Sequence, residues 1–272
     1  VTPVRGRVVA LTGAGSGIGR ALSVELSGAG AHLALADVDP TGLAETAARC
    51  VEGHPVSTHV VDVADAAAVH DFAEQVLARH GAVDVLVNNA GVNAAATVGR
   101  LTLDDYAWVL GVDLWGVIHG VKAFLPLLLT RPQAHVVTVG SVNSFMPFPC
   151  DSAYTAAKFA VDGFTRSLAQ ELAGSAVRVS MVYPGGVATN ASRNSRYTTP
   201  AQQEAFASRA LTSPQRAASV IVRGITHNRA SIYVGADARA LAVASRVAPH
   251  TTQRLITWGW RRLERRQPSQ AR

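Results

Sequence analysis

A strand, a glycine turn and a helix succeed one another within the first thirty residues, and that succession constrains the fold more than any other feature. Val8-Val9-Ala10-Leu11 is an uninterrupted apolar run, followed by Thr12-Gly13-Ala14-Gly15-Ser16-Gly17-Ile18-Gly19 and an amphipathic stretch through Leu26. Glycine reaches positive φ and lets the backbone approach a bulky anion. A helix that opens at such a turn offers unpaired N–H groups and the positive end of its dipole, which suits a pyrophosphate. Eighteen residues after Gly19 a second apolar run, His32-Leu33-Ala34-Leu35-Ala36, ends in Asp37. A carboxylate there can accept hydrogen bonds from ribose hydroxyls. Strand, loop, helix, strand and acid at this spacing predict a dinucleotide site, with Gly13, Gly15, Ser16, Gly17, Ile18 and Gly19 at the phosphates and Asp37 at the ribose.

The alternation continues down the chain. Strands are predicted at Val8–Leu11, His32–Asp37, Val56–Asp62, Val83–Asn88, His135–Val139, Arg178–Tyr183 and Ser231–Val234. Helical patterns lie between them, and Thr102-Leu103-Asp104-Asp105 reads as an N-cap. Strands separated by helices imply right-handed crossovers, hence an α/β, doubly wound, seven-stranded parallel sheet with helices on both faces. In such sheets ligands bind at the carboxyl ends of the strands. Asp37, Asp62, Asn89, Ser141 and Pro184 all fall at or just after predicted strand ends.

A second constellation is Tyr154-Thr155-Ala156-Ala157-Lys158. Of the 25 basic residues Lys and Arg, only Lys122 and Lys158 are Lys. In so Arg-rich a chain, a Lys four residues after a Tyr calls for a reason. At i and i+4 on a helix the two side chains share one face. An ammonium beside a phenol favours the phenolate and lowers its pKa from about 10. Ser141 stands thirteen residues before Tyr154.

The T-G-x-x-x-G-x-G loop, Asn88-Asn89-Ala90-Gly91, Ser141, Tyr154, Lys158 and Pro184-Gly185-Gly186-Val187-Ala188-Thr189 fall in one order that strongly resembles the short-chain dehydrogenase/reductase family, across roughly residues 5 to 235. The resemblance implies a Rossmann-type sheet and the interconversion of an alcohol and a ketone or aldehyde on a nicotinamide cofactor. It assigns Tyr154 as general acid/base, Ser141 as the hydrogen-bond donor to the substrate oxygen, and Lys158 as the group that tunes Tyr154 and holds the nicotinamide ribose. Asp62 and Val63 would bracket the adenine. Asn89, Ala90, Gly91, Pro184 and Gly185 would line the cofactor, with Val187 and Thr189 at the carboxamide. Ser141, Asn143, Phe145 and Tyr154 would face the substrate.

One position departs from the family pattern. Where such chains carry Asn in V-N-L-x-G, here stands Asp113 in Val112-Asp113-Leu114-Trp115-Gly116. The Asn is held to bind a water that links the catalytic Lys to solvent, and its backbone kinks the helix. Two readings of Asp113 stand: a water ligand in place of Asn, or an ionised group that offsets Lys158 and raises the pKa of Tyr154.

Charge bears on the cofactor. A 2′-phosphate would be repelled by Asp37, and Ala14, Val38 and Asp39 supply no cation. NAD is expected over NADP. The substrate is less defined. Phe145, Met146, Pro147 and Phe148 form an apolar flank after Ser141, and residues 190–214 occupy the family's variable lid. A hydrophobic alcohol such as a steroid, retinoid or lipid-like alcohol is expected. A polyol or sugar is the alternative within the class, and a non-catalytic NAD-binding regulator the alternative outside it.

With 48% hydrophobic and 16% charged residues among 272, the chain reads as a soluble globular protein with one large domain, residues 1–237, followed by an extension, 238–272. Cys50 and Cys150 give no metal spacing and no disulfide framework, which favours a reducing, cytoplasmic setting. The first strand begins too early for a signal peptide. Gly111–Leu129 is the most apolar long stretch, but Asp113, His119, Lys122 and Pro126 within it favour a buried helix over a membrane span. Homodimers or homotetramers are expected. The extension holds eight arginines and only Glu264 as an acid, a net of +7, so within the chain's +6 the first 237 residues sum to −1. Ile256, Trp260 and Leu263 recur at helical spacing. The extension is expected to dock on this or a partner subunit, or to lie on an anionic membrane surface. No nucleic-acid motif accompanies its charge.

Overall fold

The computed structural model describes residues 3–189, 195–197 and 211–264. Strands β1 (Val8–Thr12), β2 (His32–Asp37), β3 (Val56–Val60), β4 (Val85–Asn88), β6 (Ala134–Val139), β7 (Val177–Pro184) and β9 (Ser231–Val234) form one parallel sheet in the order β3-β2-β1-β4-β6-β7-β9. The order reverses at β1, which pairs with β2 on one side (Val9 opposite Leu33) and β4 on the other (Val9 opposite Val85). That reversal opens a crevice at the strands' carboxyl ends. Short strands β5 (Asn93–Ala94) and β8 (Ser195–Arg196) pair separately.

Strand pleating divides the core. Val9 and Leu11 of β1 point to one face, where they meet Leu22 and Leu26 of α1 (Gly17–Gly28), Leu43 of α2 (Pro40–Ala47) and Ile221 of α7 (Pro214–Thr226). Val8 and Ala10 point to the other, against Phe72 and Val76 of α3 (Ala66–His80) and Val121, Phe124 and Leu128 of α5 (Gly116–Leu129). Being covered on both faces is why these strands read as continuous apolar runs rather than alternating ones. Phe72 and Phe124 meet edge to face with centroids 5.3 Å apart, a favoured aromatic geometry.

Helix α4 (Leu103–Leu110) starts at Thr102, whose side chain accepts from the Asp105 N–H while Asp105 accepts from the Thr102 N–H. It runs through a π-helical turn, Gly111–Trp115, into α5. The whole stretch Leu103–Leu129 is long and apolar enough to cross a membrane. It lies instead along the sheet and α3, with Val117, Val121, Phe124 and Leu128 in the core. The π turn carries Asp113 and faces it inward, fully buried.

The structure departs from the sequence expectations at several points. Strand β3 stops at Val60, two residues short of Asp62, because Val60 pairs with Asp37, the last residue of β2, and the ladder has no partner beyond it. The boundary at 237/238 falls inside helix α8 (Ala236–Val247), since Ala238 and Ala242 are buried against the body of the protein. The extension proper is helix α9 (Pro249–Glu264). Most of the expected lid, 190–214, lies outside the described residues, as do 265–272 and the side chain of Leu263. Cys50 and Cys150 form no disulfide, and no cluster of metal-ligating side chains occurs among the described residues.

Candidate active site

The glycine turn is built by contacts that tolerate no side chain. Gly13 has φ of 67°, and a Cβ there would come within 2.7 Å of Ala90 Cα. A Cβ on Gly19 would overlap the Gly13 carbonyl, so α1 can open this close to the turn only with glycine. Asn89 pins the turn from β4: its Nδ2 donates to the Thr12 and Gly13 carbonyls, each at 3.0 Å. Asp37 Oδ2 accepts from the Gly15 N–H at 2.8 Å, which places the acid at the end of β2 against the middle of the loop. Ser16, in extended conformation, occupies the N-cap position of α1 without a capping bond from its side chain.

The chain after β7 returns to the same loop. A Cβ on Gly17 would lie 3.3 Å from the Thr189 side chain, so Thr189 closes over the mouth of α1. Val187 is buried, and Gly185 donates to Val234 O at the end of β9. Val63 is buried beneath Gly116, whereas Asp62 is exposed and accepts from the Ala64 N–H at 2.9 Å.

Ser141 follows β6 directly. Its hydroxyl accepts from the Asn143 N–H at 3.1 Å and donates to Asn143 Oδ1 at 3.3 Å. Helix α6 (Ser152–Glu171) carries Tyr154 and Lys158 one turn apart, with Lys158 Nζ 5.4 Å from the Tyr154 ring centroid. Lys158 is 3% exposed and Asp113 0%, and Nζ sits 2.9 Å from Asp113 Oδ2. The other carboxylate oxygen accepts from the Val92 N–H at 2.7 Å. Lys158 also donates to Val139 O at 3.4 Å. Gly91 passes over this pair: a Cβ there would lie 3.3 Å from Asp113 Oδ2.

Asp113 therefore pairs directly with Lys158. The reason is reach. The π turn advances residue 113 toward α6, and a carboxylate is the natural acceptor for an ammonium. The electrostatics follow. Burial pushes the Asp113 carboxyl up, opposed by Lys158 and the Val92 N–H. Burial pulls Lys158 down, but Asp113 and Tyr154 outweigh it and hold the ammonium above its usual range. Burial raises the Tyr154 phenol; Lys158 and the Ser141 hydroxyl lower it, and Asp113 and Asp151 raise it again. The net direction is upward, although Lys158 acts on the phenol in the expected sense. Burial outweighs the ammonium, and Asp113 offsets part of its field.

The substrate side is more polar than the sequence suggests. Asn143 Nδ2 donates to Thr155 Oγ1 (3.2 Å) and Asp151 Oδ2 (3.4 Å), while Asn93 Nδ2 donates to Asp151 Oδ1 (3.0 Å). Phe145, expected to flank the reacting carbon, packs edge-on against Tyr183 and Tyr233, with centroids 5.5 and 6.4 Å away. Met146 is buried. The apolar wall comes from elsewhere: Val92, Trp108 and Leu114 share a cluster with Tyr154 over Ala94, Ala153 and Ala157.

Two further residues shape the site without having been legible in the sequence. Asp237, in the first turn of α8, accepts from the Gly186 N–H at 2.6 Å and holds the Pro184–Thr189 segment in place. Arg20 bonds Gly15 O, Gly42 O and Thr46 Oγ1 and pairs with Glu45 at 2.9 Å. Arg20 is thus a cation beside the loop, but its Nε and Nη2 are engaged and its charge is balanced by Glu45. An Arg at i+5 from Gly15 was the available signal, and only the path of α2 shows what it meets.

Residues 7–200 match the family model described as short chain dehydrogenase. An oxidoreductase of Mycobacterium tuberculosis, SadH, is 41% identical over 262 residues, 93% of this chain and 95% of that protein. The 1-deoxy-11-beta-hydroxypentalenate dehydrogenase of Streptomyces avermitilis is 35% identical over 84% of each chain. Among solved structures, a short-chain dehydrogenase/reductase from Burkholderia phymatum in complex with NAD superposes with a TM-score of 0.83 at 31% identity, covering 91% of this chain and 94% of that one. An alcohol dehydrogenase from Thermococcus sibiricus complexed with 5-hydroxy-NADP gives 0.74 at 27% identity, covering 84% and 95%. The chain belongs to the short-chain dehydrogenase/reductase family and is an oxidoreductase with a Rossmann-type fold.

Proposed function

We propose that this protein is an NAD-dependent dehydrogenase that interconverts a hydrophobic secondary alcohol and its ketone, with Tyr154 as general acid/base. The observation that carries the reading is the convergence of Ser141, Tyr154 and the Lys158–Asp113 pair at the strand ends next to the glycine loop. The loop suits the cofactor, because glycine at 13, 15 and 19 lets the turn pack against Ala90, Asp37 and the start of α1 where no Cβ fits, which keeps the helix N-terminus open to a pyrophosphate. When bound, NAD accepts hydride from the carbinol carbon in oxidation and returns it in reduction. Tyr154 Oη removes the hydroxyl proton in one direction and restores it in the other. Ser141 turns its hydroxyl from Asn143 Oδ1 to the substrate oxygen and stabilises charge that develops there. Lys158 supplies the positive field, and Asp113 fixes its position and limits that field.

NAD is favoured over NADP because the Asp37 carboxylate sits against Gly15 of the loop and Asp39 follows it at the head of α2, while Arg20 is paired with Glu45. Asp37→Ala combined with Val38→Arg is expected to shift the ratio of kcat/KM toward NADP, because it removes a repelling carboxylate and adds a phosphate partner at an exposed position. Initial rates with both cofactors measure this, and an unmodified chain that already prefers NADP refutes the charge argument.

Asp113→Asn removes a negative charge beside the phenol and so lowers the pKa of Tyr154. Alcohol oxidation needs the phenolate and rises with pH through that pKa. The midpoint of the oxidation profile is therefore expected to move to lower pH. An unchanged midpoint would leave Asp113 a purely positioning role.

The wall of Val92, Trp108 and Leu114 beside Tyr154, together with the relative whose name is that of a hydroxypentalenate dehydrogenase, supports an apolar substrate. The Asn143–Asp151–Asn93 network favours a polyol as second reading. Comparing kcat/KM for steroid, aliphatic and polyol alcohols separates them: the proposal expects the apolar alcohols to lead, and a polyol lead transfers the assignment. Assembly into homodimers or homotetramers is part of the proposal, supported by exposed Trp115 and Phe159 on the long α4–α5 helix and on α6.

A further inference from the structure

Helix α9 has two unlike sides. Thr252 is buried, and its hydroxyl donates to the Ala244 and Ala248 carbonyls of α8 and the turn after it, at 3.1 and 2.9 Å. Ile256 and Trp260, each a further turn along, are half-buried on the same side. Docking onto this protein's own body is therefore met by that face. At about 100° per residue, Arg254, Trp258, Arg261 and Arg262 return on the opposite side, with Leu255 at its edge. All five are exposed. Trp258 and Leu255 are among the most exposed large apolar residues in the described chain, at 61% and 63%. The Arg262 guanidinium lies 5.4 Å from the centre of the Trp258 ring.

We propose that this outward face of α9 is a docking surface for an anionic lipid bilayer. Each alternative explains only part of the face. Solvation accounts for the arginines but leaves Trp258 uncovered among them and Leu255 uncovered at their edge. An acidic protein would answer the arginines in the same partial way. A second copy meeting this face by two-fold symmetry would set three arginines against three. An anionic bilayer answers both chemistries. The indole sits at the headgroup level, Leu255 reaches the acyl boundary, and the arginines extend to the phosphates while their stems cover apolar surface. The charge of the chain agrees, since residues 238–272 carry +7 and the rest sum to −1. Such a surface would attract the protein by this end.

The test is co-sedimentation of the full chain with phosphatidylglycerol vesicles and with phosphatidylcholine vesicles, at low and moderate salt. Two variants accompany it: Arg254→Gln/Arg261→Gln/Arg262→Gln and Leu255→Ser/Trp258→Ser, checked for folding by circular dichroism. The proposal expects binding to the anionic vesicles, little to the zwitterionic ones, and release by salt. The triple variant should partition roughly 10²-fold more weakly, at a factor of about five per charge. The double variant should also lose binding while keeping all its charge. Absence of vesicle binding overturns the proposal, and a sedimentation shift of the double variant would then assign the face to a second copy. Equal partitioning of the unmodified chain and both variants also overturns it, because another part of the protein would then carry the contact.

Discussion

Tyr154→Phe is expected to lower kcat for alcohol oxidation by roughly 10²–10⁴-fold, the scale of losing a general acid/base, with NADH binding nearly unchanged. The phenyl ring keeps its place in the cluster with Ala94, Ala153, Ala157 and Leu114, so the site stays packed. Only Oη is lost, together with the cost of burying it. The fold should be no less stable, and any fall in rate then reports chemistry rather than unfolding. Fluorescence titration with NADH and initial rates at saturating substrate make the comparison. Equal kcat in the two proteins would remove Tyr154 from the mechanism.

Lys158→Met is expected to cost both activity and stability, the latter by about 3–5 kcal/mol at neutral pH, the range for removing one partner of a buried ion pair. Asp113 is fully buried and would retain only the Val92 N–H. Without the ammonium, the folded-state pKa of Asp113 lies above its unfolded value. The folded variant then binds a proton that the unfolded chain releases, so the deficit is largest at neutral pH and shrinks as pH falls toward the unfolded carboxylate pKa. Lys158→Met/Asp113→Leu should recover most of the stability and none of the activity. Urea unfolding of the single and double variants measures this. A single variant as stable as the unmodified chain would mean that the pair contributes nothing to the fold.

What the sequence disclosed follows from how each feature is encoded. The seven strands were legible because parallel strands covered on both faces need unbroken apolar runs, as in Val8–Leu11 and Leu33–Ala36. The glycine loop and the Tyr154–Lys158 pair were legible because their chemistry depends on local spacing. The Asp113–Lys158 pair was legible only as one of two readings, because 45 residues separate its members and only the π turn sets their distance. Asp237 on Gly186 was not legible, nor was β5 against β8, two residues each with no propensity signal. The packing of Phe145 on Tyr183 and Tyr233 was not legible either, because an aromatic beside Ser141 is consistent with either side of the strand end. The two faces of α9 became distinguishable only once α8 had covered one of them.

The most direct measurement of the central claim follows nicotinamide absorbance while the unmodified chain and Tyr154→Phe are incubated with NAD and a panel of steroid, retinoid, aliphatic and polyol alcohols. The account predicts that the unmodified chain forms many equivalents of reduced cofactor per molecule with at least one alcohol, and that the variant forms almost none. A chain that binds NADH but turns over no alcohol in the panel, and no corresponding ketone in reverse, would contradict it and leave an NAD-binding protein without this catalysis.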